Sequence, residues 1–170
     1  MGILADRLDR MQVRVVSPDG HISALLHNRS EVVIAFQPGS YERYGEHAVS
    51  DQLSAVARLL WAGRTREYFA ALSDAFGTPI AGESPAIGER DRRYRAARDE
   101  LIAEGVSSDG LVYVGAQGMR FFVVKIADGT LRTLGEGEFA ASVREASYAM
   151  ITDQFAKIRM LKDSCFADES

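Results

Sequence analysis

A four-residue turn occurs twice in this chain, as Ser17-Pro18-Asp19-Gly20 and as Ser107-Ser108-Asp109-Gly110, 90 residues apart. Sliding the sequence against itself by that offset keeps register without a gap from residue 17 to about residue 60. Seven of 44 aligned pairs are identical. The turn supplies Ser17, Asp19 and Gly20, while Val33, Gly39, Gly45 and Glu46 meet Val123, Gly129, Gly135 and Glu136. Most of these identities fall at turns or at the start of a helix, where backbone geometry restricts the residue type most. A duplicated unit limits the possible folds sharply: what one half forms the other forms too, and the two must fit together.

The first copy reads as a helix, a three-stranded meander and a long helix. Residues 3–10, with Ile3, Leu4 and Leu8 among charges, predict a short amphipathic helix. Residues 11–16 are rich in β-branched side chains and place Met11, Val13 and Val15 on one face of a strand. Pro18-Asp19-Gly20 turns the chain, because Pro presets φ, Asp caps its own backbone and Gly accepts positive φ. A second strand over 21–27 puts Ile22, Ala24 and Leu26 on one face, Asn28-Arg29-Ser30 forms a hairpin loop, and a third strand over 31–37 aligns Val32, Ile34 and Phe36. Pro38-Gly39-Ser40 ends the meander, and a helix follows over about 47–76. Val49, Leu53, Val56 and Leu60 give it a buried stripe, which Tyr68, Leu72 and Phe76 are expected to continue. Gly63 beside Trp61 marks a kink or a close approach to a neighbour.

Residues 77–88 hold Gly77, Pro79, Gly82, Pro85 and Gly88, a density that cannot continue a helix, so they form the linker between a first unit (1–76) and a second (89–170). Residues 89–104 predict a charged helix in which Arg90, Arg92, Arg93, Arg95 and Arg98 are opposed by Glu89, Asp91, Asp99, Glu100 and Glu104. The plain reading is a solvated helix laced with ion pairs. The meander then repeats. Val112 and Val114 take the places of Ile22 and Ala24, and Phe122, Val124 and Ile126 those of Val32, Ile34 and Phe36. A one-residue slip would turn this whole set to the opposite face, so the agreement supports the register. That opposite face is itself apolar at Tyr113, Phe121 and Val123, which predicts that the second sheet is covered more fully than the first. The last helix, over 136 to about 162, carries Phe139, Val143, Ala146 and Met150 where the first carries Val49, Leu53, Val56 and Leu60. A short polar tail, 163–170, is expected to fray. Three strands under one helix make a thin domain with an exposed edge or face. A second copy in the same chain supplies the missing partner. The expected fold class is therefore α+β, with two tandem units forming an intramolecular pseudo-two-fold dimer.

This pattern resembles the YbaB/EbfC family of small bacterial proteins. The likeness rests on the Ser-Pro-Asp-Gly turn at 17–20, the apolar strand around Val32 to Phe36, and the Pro38-Gly39-Ser40-Tyr41 break before the long helix. The resemblance implies a helix, a three-stranded meander and a second long helix in each unit. In that family two identical chains pair, with helices protruding as prongs; here residues 5–75 and 92–162 would be the two halves of one fused pseudo-dimer. It also implies nucleoid-associated binding of duplex DNA. For some actinobacterial relatives it implies instead an accessory role beside type VII secretion, where protein contacts matter more. Only three of the 20 basic residues are lysine, a composition that suits a high-GC genome. The fusion, the divergence of the halves and the lack of Gly-rich or Met-rich N-terminal features are departures from the family pattern.

Composition bounds the function. The formal net charge of −4 gives no global attraction to phosphate or anionic lipid, so any DNA-binding patch is local. No stretch approaches the roughly 20 apolar residues of a membrane span, and residues 1–11 lack the apolar core of a signal peptide. A cytoplasmic location is expected. The single cysteine, Cys165, excludes an intrachain disulfide framework. His21 and His27 bracket a strand about 20 Å long and, like His47, have no acid or cysteine cluster beside them to complete a metal site. No phosphate loop follows a strand, and no nucleophile has a recognisable base, so neither catalysis nor a cofactor is expected. For duplex DNA the candidate phosphate contacts are Arg58, Arg64, Arg66, Arg90, Arg92, Arg93, Arg95 and Arg98. For a protein partner the candidate anchors are Trp61, Tyr68, Phe69 and the aromatics of the second sheet, with Trp61, off the main stripe, the best candidate for an exposed one. A further homo-oligomer is left open by the sequence.

Overall fold

The computed structural model describes residues 2–167. In chain order the elements are α1 (Gly2–Asp9), β1 (Val13–Val16), β2 (Ile22–His27), β3 (Glu31–Phe36), a 3-10 turn (Tyr41–Arg43), α2 (Glu46–Phe76), α3 (Gly88–Glu100), β4 (Ile102–Val106), β5 (Val112–Gln117), β6 (Phe121–Ile126), α4 (Thr130–Thr133) and α5 (Glu136–Phe166). The fold is mixed α+β, with two separate antiparallel sheets in the orders β1-β2-β3 and β4-β5-β6. The bounds of β5, β6 and α5 fall 90 residues after those of β2, β3 and α2. No described helix is long and apolar enough to cross a membrane.

The repeated turns are built alike because their residues satisfy the same backbone groups. Ser17 Oγ donates to Asp19 Oδ1 at 2.6 Å, Asp19 Oδ1 accepts from His21 N, and Ser17 Oγ accepts from Ile22 N. In the second copy Ser107 Oγ donates to Asp109 Oδ1 at 2.5 Å, and Leu111 N and Val112 N are held in the same way. The first hairpin turns through Asn28 and Arg29, both at positive φ, and the second through Gly118 and Met119.

Each long helix packs on both sheets: α2 lies over β1 and β6, and α5 over β4 and β3. The helical stripe expected from the sequence is buried at Val49, Leu53, Val56 and Leu60 and at Phe139, Val143, Ala146 and Met150, with the inner faces of both sheets in the same cluster. Burying each such aliphatic side chain is worth roughly 1.5–3 kcal/mol. Phe139, at 0% exposure, meets Phe36 at 6.1 Å and Tyr41 at 5.8 Å between ring centroids. Polar ties also cross between halves. Tyr41 donates its hydroxyl to Leu134 O at 2.7 Å, Val124 N donates to Ser54 Oγ at 3.0 Å, and Arg144 pairs with Glu31 at 3.0 Å.

Several expectations are corrected. The helix expected over 89–104 ends at Glu100, and Ile102–Val106 is strand β4. Ala103 and Gly105 turn inward while Ile102, Glu104 and Val106 face out, and β5 needs this partner along its free side. The stripe of α2 does not continue through Tyr68, Leu72 and Phe76: Tyr68 is exposed, Leu72 is half-buried and Phe76 is 69% exposed. Beyond Leu60 only the small residues Gly63, against Val13 of β1, and Ala71 stay buried. Gly63 marks a close approach, not a kink; a Cβ there would lie 2.5 Å from Val13 Cγ1. The tail remains helical to Phe166, and the rest of the fraying expected for it, at 168–170, lies outside the described residues.

Candidate functional site

The outer face of the second sheet is the largest departure from expectation. Pairing places Ile102, Gln117 and Phe121 in one row, Glu104, Gly115 and Val123 in the next, and Val106, Tyr113 and Lys125 in the third. No helix covers this face: Phe121 is 70% exposed, Val123 is 46% exposed, and Ile102 and Val106 are more than half exposed. The fuller covering expected from its apolar residues is therefore not found among the described residues. Alternation had flagged the residues correctly, but both long helices are engaged on the inner faces. Tyr113 folds back over the sheet. Its hydroxyl donates to Glu104 Oε1 at 2.7 Å, and its ring occupies the space a side chain at Gly115 would need. Glu104 and partial burial push the Tyr113 hydroxyl pKa upward, so it stays a donor. Lys125 Nζ lies 5.5 Å from the Tyr113 ring centroid. The face is thus apolar at Ile102, Val106, Phe121 and Val123 and carries one acid, Glu104, and one base, Lys125.

The candidate phosphate-binding arginines are not gathered on one surface. Arg92 pairs with Glu89 at 3.0 Å; Arg95 pairs with Glu83 at 2.9 Å and with Asp91 at 3.2 Å; Arg98 pairs with Glu83 at 2.6 Å and Asp99 at 3.2 Å. Hydrogen bonding to Glu83 raises the Arg98 pKa further, as does Asp99. Glu83, in the linker, clamps two turns of α3. Arg90 is exposed on the same helix. Arg64 is half-buried, its guanidinium carbon 4.5 Å from the Trp61 centroid and 5.7 Å from that of Phe155. Arg58, Arg66 and Arg93 are exposed, with no paired carboxylate among the described residues.

The three aromatic anchors differ in placement. Trp61 is half-buried against the core and covered by Arg64, so it is not the exposed anchor its position off the stripe predicted. Tyr68 is exposed, Phe69 is half-buried, and their rings meet edge-on at 5.4 Å. Sequence reasoning missed Ile102 and Val106, which β4 brings to the open face, and Phe155 on α5, whose ring centroid lies 5.7 Å from the Arg64 guanidinium carbon.

The perturbed carboxylates serve the turns. At Asp19 burial works against ionisation, but donors from Ser17, Tyr44 and His21 N outweigh it and hold the pKa below the usual range. At Asp109 hydrogen bonds from Ser107, Ser142 and Leu111 N do the same. His27 lies 3.4 Å from Glu31, and His47 3.5 Å from Asp51, each on its own element or hairpin. Among the described residues no three His, Cys, Asp or Glu side chains gather as a metal set. No protein-family model matches this chain, and no curated protein or solved structure matches it either.

Proposed function

We propose that this chain is a fused YbaB/EbfC-like pseudo-dimer, two helix–meander–helix units about a pseudo-two-fold axis, that works as a non-enzymatic protein-binding module. The 90-residue spacing of the elements, the matching turn networks and the reciprocal seating of α2 and α5 support the first part. The open face of the second sheet carries the second: Ile102 and Val106 on β4 and Phe121 and Val123 on β6 are exposed apolar side chains flanking the Gln117, Gly115 and Tyr113 positions of β5. Patches of this kind mark interaction sites. Internal ion pairs on α3 favour protein over phosphate, because Arg92, Arg95 and Arg98 would have to surrender carboxylates before meeting DNA. An accessory role beside a type VII secretion system, implied by the family resemblance alone, would be one form of this function.

The test is site-specific photocrosslinking at position 121 in the cells of origin. A discrete adduct that disappears when Val106 and Val123 are both changed to Asp supports the reading. Absence of any adduct, with the variant folded, refutes it, and an adduct of twice the chain mass assigns the face to a second copy.

Duplex DNA is the second reading, favoured by the exposed, uncommitted Arg58, Arg66 and Arg93. It is tested by gel-shift titration with random-sequence duplex at two salt concentrations. Retention that weakens steeply with salt and is lost in the charge-reversed Arg58/Arg66 variant would establish it over the protein reading.

A further inference from the structure

The edges of the two sheets are finished differently. In the β2–β3 hairpin Gln37 N donates to His21 O, so alternation makes Ser23/Ala35, Leu25/Val33 and His27/Glu31 the bonded pairs. The N–H and C=O groups of Val32 and Ile34 then point to the outer edge of β3. In the second hairpin Ala127 N donates to Leu111 O, and the same alternation turns the groups of Phe122 and Val124 to the outer edge of β6.

Side chains of the long helices cap the second sheet at both edges. On α2, Ser54 Oγ accepts from Val124 N at 3.0 Å. On α5, Asp153 Oδ2 accepts from Glu104 N at 2.9 Å, and Lys157 Nζ donates to Ile102 O at 2.8 Å. The first sheet lacks these caps. The repeat counterpart of Ser54 is Arg144, which carries donors only and is turned to Glu31 at 3.0 Å. Val32 N and Ile34 N have no hydrogen-bond acceptor among the described residues. A bare edge of this kind is a template for another strand.

An open groove of about 650 Å³ lies between this edge of β3 and α5. Its helix side is cut low by Gly137, Ala140 and Ala141, and Val33 and Tyr148, both exposed, complete its apolar lining. A Cβ added at Gly137 would meet no atom within 4 Å. The charges beside the groove are already committed, Glu31 to Arg144 and Glu145 to the N–H and hydroxyl of Ser108. Strand β1 is uncapped as well, since Gly63 and Glu67 stand where Asp153 and Lys157 stand in the second half. The cleft at its start, however, is lined by Asp6, Arg7, Arg10 and Glu67, charged groups that an added strand would have to desolvate.

We propose that the groove between β3 and α5 takes a short extended segment of a partner protein, uncharged and with small apolar side chains on alternate residues, added as a fourth strand to the first sheet. Its backbone supplies the hydrogen bonds that Val32 and Ile34 lack, and its alternate side chains rest against Ala140 and Ala141. A second copy fits poorly, because its β3 carries its own α5 along the same edge. The site belongs to the other sheet from the open face described above, so either can fail without the other.

The full chain is panned against a phage-displayed random heptapeptide library, and the enriched sequence is made as a peptide with blocked ends. The expected result is an uncharged, alternating apolar sequence that binds saturably and slows amide exchange at Ile34 by about tenfold or more, with Val124 unchanged. Arg144→Ser rebuilds at β3 the cap that Ser54 gives β6, and is expected to weaken binding by about tenfold. Arg144→Ala breaks the Glu31 pair without supplying an acceptor, and is expected to bind like wild type. Failure to enrich any clone would overturn the proposal, as would a charged enriched sequence. So would a bound peptide that leaves Ile34 exchange unchanged, or an Arg144→Ser protein that binds as tightly as Arg144→Ala. A concentration-dependent dimer that slows Ile34 exchange without peptide would also overturn it, and would assign the edge to a second copy.

Discussion

Gly105 offers the sharpest test of how the second half is packed. It lies in the middle of β4 with its α-carbon against α5, and an ideal Cβ there would fall less than 3.0 Å from Ala146 O, Met150 N and Ala149 Cβ. Two of these are backbone atoms of a helix, which cannot rotate away as a side chain can. Gly105→Ala therefore forces β4 and α5 apart, and the displacement is felt by Ala103, Ala146 and Met150, all buried in the shared core. Inserting a carbon into a packed interior costs about 1–3 kcal/mol, and a clash with backbone puts this site at about 3 kcal/mol. The usual benefit of replacing Gly in an extended element, at most about 1 kcal/mol, is not enough to reverse the sign. For a chain of this size 1 kcal/mol corresponds to about 2–4 °C in melting temperature, so a loss of about 6–12 °C is expected by circular dichroism or calorimetry. The comparison is Gly63→Ala, where the clash is with the Val13 side chain and a helical position gains about 1 kcal/mol from alanine; its net loss should be well below that of Gly105→Ala. A Gly105→Ala protein melting within about 1 °C of wild type would refute the close seating of β4 on α5.

Three further outcomes follow from the same geometry. Phe139→Ala removes a fully buried ring from contact with Phe36 and Tyr41 and should cost about 3–5 kcal/mol, measured by denaturant unfolding. A loss below about 1 kcal/mol would mean that the two halves do not share this cluster. Ser54→Ala deletes the acceptor for Val124 N and should cost about 0.5–1.5 kcal/mol, with faster amide exchange at Val124; unchanged exchange there would remove that tie. Asp109 has its folded-state pKa depressed by Ser107, Ser142 and Leu111 N, so its stabilisation is full above the unfolded value of about 3.9 and is lost as pH falls through the lower folded value. Asp109→Asn should flatten the stability–pH curve over the acid range below about pH 4 and leave the slope near neutral pH unchanged; an unaltered acid limb would contradict the hydrogen-bonded turn.

Much of the fold was legible because the repeat constrains the pattern twice. The inner-face residues of β2, β3, β5 and β6 and the stripes of α2 and α5 were visible as apolar periodicity, and they are buried except Phe36 and Phe122, which are half-buried against the core. Strand β4 was not, for a physical reason. Its inward residues are Ala103 and Gly105, small because the helix lies so close, and they carry no β-branched signal. With the arginine-rich helix immediately upstream, the segment read as its continuation. The continuation of the α2 stripe to Phe76 failed differently: periodicity records which residues share a face, not whether anything lies opposite. The candidate site was the least legible. Arg64 reads from the sequence as a candidate phosphate contact because its second aromatic neighbour, Phe155, belongs to the other half of the chain. Gln154 has no sequence signal at all, since its distinction is a missing partner.

Fusion into one chain has a consequence for what such a molecule can build at its centre. In a dimer of identical chains a two-fold axis repeats every residue, so a cation near the axis faces a second cation and a site there must be self-complementary. On the pseudo-two-fold reading proposed above, a single chain is released from this. Arg64 is matched by Gln154, Trp61 by Ile151 and Gly63 by Asp153, although each pair shares a position in the repeat. The core positions behave differently. Leu53 with Val143 and Leu60 with Met150 remain apolar, because both halves must still fill one shared interior. Divergence at positions 61–64 and 151–154 falls where Arg64 of α2 approaches Phe155 of α5, its guanidinium carbon 5.7 Å from that ring centroid. Two arginines at these two places would repel. Restoring the repeat by Gln154→Arg tests this directly: the second cation should lower the melting temperature in low salt and recover part of it in high salt, as like-charge repulsion is screened. A variant insensitive to salt would show that positions 64 and 154 do not face a common space.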